Sequence, residues 1–283
     1  MVSEHILRLS CADRPGIVAS VSGLLFELGG NILESQQFDD RETNRFFLRM
    51  VFDFDASVRQ FTDRFERVAA LFSMSWTLRA VADRRRVLLL VSKQDHCLGD
   101  LLYRNRIGEL PMDVVGIVSN HPREALNLTL IGDTPYHHLP IAKDDKPAQE
   151  AKIMRVLEES GAELVVLARY MQILSPELAA ALSGRCINIH HSFLPAFKGA
   201  RPYHQAHARG VKLIGATAHY VTADLDEGPI ISQDVEHVSH ADSPEDLVRK
   251  GRDIERRVLA RAVRWHLEDR VLINQHKTVV FAS

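Results

Sequence analysis

Two rhythms of apolar and polar residues alternate along the first part of the chain. Residues 5–9 point inward and outward by turns, as a half-buried strand does, and a helical spacing follows from about 15 to 28, where Gly29 and Gly30 stop it. Residues 31–38 and 45–54 read as two more strands, joined by the polar turn at 39–42. Ser57 stands where a cap is wanted, ahead of Val58, Phe61, Phe65, Val68, Ala69 and Phe72, which recur three or four apart on one helix face. Residues 74–81 predict a last strand. The order βαββαβ over residues 1–83 is the ferredoxin-like arrangement.

From residue 84 strands alternate with helices, which predicts a mostly parallel α/β sheet covered on both faces, a Rossmann-like second domain over 84–283. Strands are expected at 86–92, 112–119, 164–168, 185–190, 213–221 and 229–235, with a shorter one at 128–131. A helix is expected at 147–159, closed by Gly161. Ser243, Pro244, Glu245 and Asp246 supply a cap, a proline at the first helical position and acids in the first turn, and Leu247, Ile254, Val258 and Ala262 continue as an apolar stripe. In open α/β sheets the site lies beyond the carboxyl ends of the strands, which is where His190 and the loop carrying Asp226 are expected to emerge.

Composition narrows the class. With 283 residues, 46% hydrophobic, and a net charge of −2, the chain has core enough for one or two domains and no basic footprint for nucleic acid. No apolar run reaches membrane-spanning length and the first residues carry no leader pattern, so a cytoplasmic location is the expectation. Cys11, Cys97 and Cys186 are odd in number and far apart, which fits reduced thiols.

The candidate chemistry sits late in the chain. Asn188 and His190 alternate onto one face of the strand at 185–190, with Ile187, Ile189 and His191 on the other. An amide beside an imidazole offers donors to a carbonyl oxygen and a group that exchanges a proton near neutral pH. The strand at 213–221 carries Thr217 and His219 and runs into a loop with Asp226 seven residues after His219. On ligand identity alone His190, His219 and Asp226 also suit zinc, although strand parity, which pairs His190 with Asn188, weakens that reading. The direct catalytic role of His219, as against holding the Asp226 loop, stays open.

Together with Ser192, Leu194 and Pro195, these residues resemble the 10-formyltetrahydrofolate-dependent formyltransferase and hydrolase superfamily. Asn188, His190, Ser192, Leu194, Pro195, Thr217, His219 and Asp226 meet its pattern in register over about forty residues. The resemblance implies that attack on the formyl carbon creates an oxyanion held by Asn188 and a protonated His190, that Asp226 orients the nucleophile and relays protons, and that no metal or other cofactor is required, the folate being the substrate. It further implies that Met171, Gln172, Ile173 and Leu174 hold the pterin, with Thr217 also lining the substrate site. No glycine follows the strand at 86–92 until Gly99, so the backbone phosphate cradle of glycinamide ribonucleotide transformylases is not expected. Ser-Lys-x-x-His-Cys-Leu-Gly-Asp at 92–100 and Ala-Arg-Tyr-Met-Gln-Ile-Leu-Ser at 168–175 resemble the formyltetrahydrofolate deformylases, in which water is the acceptor; transfer to a small amine and a non-catalytic sensor are the alternatives.

Residues 11–18, with Asn31 and Ile32 after Gly30, resemble the ACT domain family, whose members commonly bind amino acids between paired subunits. The resemblance implies a regulatory ligand at Asp13, Arg14, Gly16, Asn31 and Ile32, with glycine and methionine as candidate effectors, and a homo-oligomer. Physically, Pro15 opens a helix whose unpaired amides can face a carboxylate.

Overall fold

The computed structural model describes residues 3–54, 57–126, 129–141, 146–193 and 202–282. In the first unit β1 (Glu4–Ala12), α1 (Ile17–Glu27), β2 (Asn31–Asp40), β3 (Arg45–Asp53), α2 (Val58–Phe72) and β4 (Ser75–Ala80) form an antiparallel sheet in the order β2-β3-β1-β4. This is the expected βαββαβ arrangement. Gly16 caps α1 at φ 95°, a left-handed conformation that glycine adopts freely, and Ser57 caps α2 by accepting from the Gln60 amide. Both helices cover one face of the sheet, where Leu48, Met50 and Phe52 of β3 meet Phe61 and Phe65 of α2. Burying an aromatic side chain of this size contributes about 2–3 kcal/mol.

The second unit builds a seven-stranded sheet from β5 (Arg85–Val91), α3 (His96–Arg106), β6 (Met112–Ser119), β7 (Tyr136–His138), α4 (Lys146–Ser160), β8 (Leu164–Leu167), α5 (Pro176–Ala181), β9 (Cys186–His190), α6 (Pro202–Ala208), β10 (Leu213–Tyr220), β11 (Ile230–His237) and α7 (Pro244–Leu267). The strand order is β11-β10-β9-β8-β5-β6-β7. β5 to β9 are parallel, and their interior strands are runs of Val, Leu and Ile because both faces are buried. β10 runs antiparallel to β9 and to β11. No helix among the described residues is long and apolar enough to cross a membrane.

The strand expected at 128–131 is not formed. Thr129–Ile131 make a turn of 3-10 helix and the sheet closes instead on β7; Leu128 lies outside the described residues. A run as short as Leu128-Thr129-Leu130-Ile131 ahead of a glycine does not separate strand from helical turn, and among the described residues Ile131 is the buried one. α3, α5 and α6 were not foreseen, although Cys97, Leu98, Leu101 and Leu102 form a buried helical stripe on α3.

The last segment departs from the expected 84–283 division. Residues 268–274 and 279–283 group with the first unit. There β12 (Val271–Asn274) pairs with β13 (Lys277–Val280), and Leu272, Val279 and Phe281 pack on Phe47, which stands on the face of β3 away from the helices. Charged groups share that face: Arg49 donates to the Glu268 carbonyl and pairs with Glu34 at 2.9 Å, while buried Asp269 pairs with Arg79 at 2.9 Å. β3 is thus buried on both sides. Leu272→Ala should lower the stability of this unit by about 2 kcal/mol, read as faster hydrogen exchange of the β1 and β3 amides, with exchange in β5 and β8 unchanged.

Candidate active site

β9 and β10 are neighbours in antiparallel register, so Asn188 stands opposite His219 and Thr217 opposite His190. Because parity is shared across the pair, these side chains belong to one face. The Asn188 amide donates to His219 Nε2 at 3.3 Å, and His219 Nδ1 donates to the Tyr220 carbonyl at 2.9 Å. Among the described residues Asn188 Nδ2 makes this one hydrogen bond.

The antiparallel course of β10 means that the loop bearing Asp226 leaves the sheet at the end opposite His190, not beyond the shared carboxyl ends as expected, and folds back over the face. Asp226 itself sits at φ 59°, a conformation that aspartate tolerates better than most residues. Glu227 N donates to the Asp224 carbonyl and Tyr220 N to the Pro229 carbonyl, which fold the turn. A β-carbon at Gly228 would collide with the Tyr220 carbonyl oxygen, so only glycine allows the loop to lie this close.

The Asp226 carboxylate approaches His190 Nδ1 at 3.2 Å and His219 Nε2 at 3.7 Å. Burial pushes its carboxyl upward, and the two imidazoles outweigh that effect, holding it well below the usual carboxylate range. Asp226 is therefore an anion throughout the neutral range. With Nδ1 of His190 turned to Asp226, Nε2 is the nitrogen left to face a substrate.

His191 does not turn to the far side of the strand. The strand ends at His190, and the bend that follows stacks the two rings at 4.9 Å between centroids and 20° between planes. Arg169 at the end of β8 donates to His191 Nδ1 at 2.9 Å, and burial, Arg169 and His190 push the His191 imidazole down to about 4. Sequence reading put His191 on the far face and left out Arg169 and Glu255 of α7, whose carboxylate lies 3.4 Å from Arg169 Nε. A charge closing the apolar run of β8 and a carboxylate within the buried stripe of α7 were the available signals.

Other expected site residues divide. Met171 and Ile173 are 54% and 60% exposed on the irregular segment after β8. The Met171 amide donates to Ser92 Oγ at 3.0 Å. Gln172 is half-buried between them, and Leu174 packs into the core against the cluster that includes Tyr170 and Leu178, which makes it a support for this segment. Thr217, expected at the substrate, is 0% exposed; its hydroxyl donates to the Ser192 carbonyl at 2.9 Å and accepts from Gln233. It fixes the bend after His190. Leu194 and Pro195 lie outside the described residues.

In the first unit the five expected ligand residues do not meet within one chain. Asp13, Arg14 and Gly16 follow the end of β1, whereas Asn31 and Ile32 begin β2 at the level of Glu4, across the nine residues of β1. That separation is roughly 25 Å of strand. The Arg14 guanidinium lies 4.5 Å over the Phe72 ring and donates to the Leu71 carbonyl.

Residues 85–263 match the formyl transferase family model, and residues 5–70 match the ACT domain model. A formyltetrahydrofolate deformylase of Corynebacterium sp. is 51% identical over 98% of this chain and 98% of its own. The crystal structure of a formyltetrahydrofolate deformylase from Burkholderia mallei is 55% identical with a TM-score of 0.95, covering 99% of this chain and 100% of that one. Glycinamide ribonucleotide transformylase 1 from Symbiobacterium toebii is similar over 70% of this chain and 95% of its own, at 33% identity and a TM-score of 0.65. The chain belongs to the formyltetrahydrofolate deformylase family.

The contacts of Asp226 carry a sign. Its folded-state affinity for a proton is depressed, so its contribution to stability is present above the unfolded carboxylate value near 4 and is lost as pH falls through the lower folded value. Asp226→Asn should therefore lower Tm at neutral pH, and the gap to wild type should narrow as pH falls below about 4. A gap that stays constant with pH would remove the ion-pair account.

Proposed function

We propose that this chain hydrolyses 10-formyltetrahydrofolate to formate and tetrahydrofolate, balancing one-carbon pools and supplying formate for purine synthesis. The observation that carries the reading is the convergence of an amide, an imidazole and a carboxylate: Asn188 and His190 on one strand, with Asp226 3.2 Å from His190. Water oxygen bonds to the formyl carbon and the carbon–N10 bond breaks. Asn188 Nδ2 and protonated His190 Nε2 donate to the oxyanion as it forms. Asp226 holds His190 and takes up or relays the proton that leaves the water, and a proton passes to N10, whose bond to an aromatic ring makes it a competent leaving group. His219 locks Asn188 and supports Asp226. This chemistry asks for no metal or further cofactor.

Met171, Gln172 and Ile173 present backbone groups to the pterin edge and apolar surface to its face. Water as acceptor, in preference to an amine, is supported by the segment after β5, where the Gln94 amide oxygen accepts from Arg169 at 2.6 Å and no glycine opens a phosphate cradle.

The test is incubation of the chain with 10-formyltetrahydrofolate in the absence of any amine. Formate and tetrahydrofolate should appear in equal amounts, and Asp226→Asn should lower kcat roughly 100-fold with folate binding retained. Turnover that requires an added amine would replace the hydrolase by a transferase, and no turnover at all would leave a sensor.

The first domain is proposed to bind an amino-acid effector, glycine or methionine, between paired subunits. A site using both Asp13–Arg14–Gly16 and Asn31–Ile32 needs two copies, since one chain holds them at opposite ends of its sheet. β2 is a free edge carrying exposed Ile32, Leu33 and Phe38, which suits pairing with a second copy. An effector that changes substrate affinity has its own affinity changed by the substrate by the same factor. Glycine or methionine should alter the rate of the intact protein, Asn31→Ala should blunt the response, and sedimentation should show a dimer or larger species. An amino acid that neither binds nor changes the rate would leave the domain a role in assembly alone.

A further inference from the structure

Behind the His190 ring lies a buried polar chain that the hydrolysis as written above does not use. Glu255 on α7 is 1% exposed. Its Oε1 accepts from the Tyr203 hydroxyl at 2.7 Å, and its Oε2 lies 2.8 Å from His96 Nε2 and 3.4 Å from Arg169 Nε. Arg169 spreads its guanidinium over three partners: Glu255, the Gln94 amide oxygen and His191 Nδ1. His191 then stacks on His190, which contacts Asp226.

Two details distinguish this chain of contacts from an ordinary core ion pair. Arg169 sits at φ 66°, where glycine would be unstrained, so the backbone is held in an unfavourable conformation while the guanidinium reaches its partners. A stabilising core contact does not need a residue so placed. The donor set also fixes the neighbour of His190 chemically. Arg169 carries only donors, so His191 Nδ1 must be an acceptor and the ring must be neutral with its proton on Nε2. A second imidazolium stacked on His190 would oppose its protonation by like-charge repulsion.

We propose that Arg169 and Glu255 are positioning residues for the hydrolysis, acting through His191 to hold the ring of His190 in line with Asp226 and to keep the adjacent ring uncharged. The inference rests on the reading of His190 as a catalytic group. Glu255 fixes the guanidinium from the helix side, and Gln94 fixes it from the segment after β5. His96 and Tyr203 complete the shell of the carboxylate, which is held ionised below its usual range because, although burial raises it, His96, Arg169 and Tyr203 more than compensate. The geometry also explains why His96, Cys97 and Glu255, whose ligand atoms lie within 4.8 Å of one another, do not make a persuasive metal centre: both Glu255 oxygens already have partners and a guanidinium stands beside them.

Arg169→Gly relaxes the backbone and removes the fork, and His191→Phe keeps a ring to stack but offers no acceptor. Each should lower kcat for 10-formyltetrahydrofolate about 10-fold or more with KM within about threefold, and the double variant should lose no more than the worse single. Glu255→Gln should follow the same kcat pattern more mildly. Where Arg169→Gly fails to fold, Arg169→Lys, which keeps the charge without the fork, carries the same expectation. A second arm needs no turnover. The charged groups around His191 are Arg169, His190, Glu255 and Asp226. In ¹⁵N spectra of the intact protein at about pH 6, His191 Nδ1 should be unprotonated in the wild type, and His191 should begin to titrate as an ordinary imidazole in Arg169→Gly.

Unchanged kcat in either single variant with an intact Tm, losses that multiply in the double, or ordinary titration of His191 in the wild type would each overturn the inference. Absence of formate release by the wild type would instead defeat the hydrolase reading, while the spectra would still decide whether Arg169 controls His191.

Discussion

β10 enters the second sheet against the direction of β9, and the resulting register decides which side chains share the face of the candidate site. Asn188 faces His219 because the two strands pair there, and Thr217 faces His190 two residues along. A slip of one residue would carry all four side chains to the other face. The pairing is held by buried neighbours, Ile187 and Ile189 on one strand and Ala216 and Ala218 on the other, whose small and branched side chains fix which face is which. A polar face of this kind persists because each group is hydrogen-bonded, Thr217 to Ser192 and His219 to Tyr220.

The same register explains the division of labour between His219 and His190. Both carry an imidazole near Asp226, yet His219 is committed at both nitrogens and nearly enclosed, whereas His190 has one nitrogen turned to Asp226 and sits at the strand end. A committed ring can orient its neighbours but has little freedom to exchange a proton with a ligand. His190 has that freedom, with Asp226 on one side and His191 on its face. Position in the sheet, rather than residue type, separates the two roles.

Most of this arrangement could be read from the chain alone. Alternation placed Asn188 beside His190, the helical stripe of α2 predicted its buried face, and the glycines after α1 marked its end. The departures share a cause. Periodicity reports which side of an element is buried but not what buries it. The strand read at 45–54 is buried on both faces although Arg49 interrupts its apolar run, and nothing in those residues says that the second cover comes from residues 271–281. Direction was also silent: nothing in residues 213–220 states that β10 reverses, and the route of the Asp226 loop depends on that reversal. Arg169, His191 and Glu255 come from three distant elements, and only the folded chain brings them together.

The closing of the first unit by residues 268–274 and 279–283 bears on how the protein is made. A chain leaves the ribosome from its N-terminus, and domains ordinarily fold as they emerge. Here residues 4–80 can lay down a sheet with helices on one side, but Phe47 and Arg49 stay wet until residues 268–281, made much later, are released. A unit begun early is finished late. A premature stop that spares every candidate catalytic group would still leave Phe47 and the charges around Arg49 without their cover, and the cell's quality control would meet an unfinished sheet.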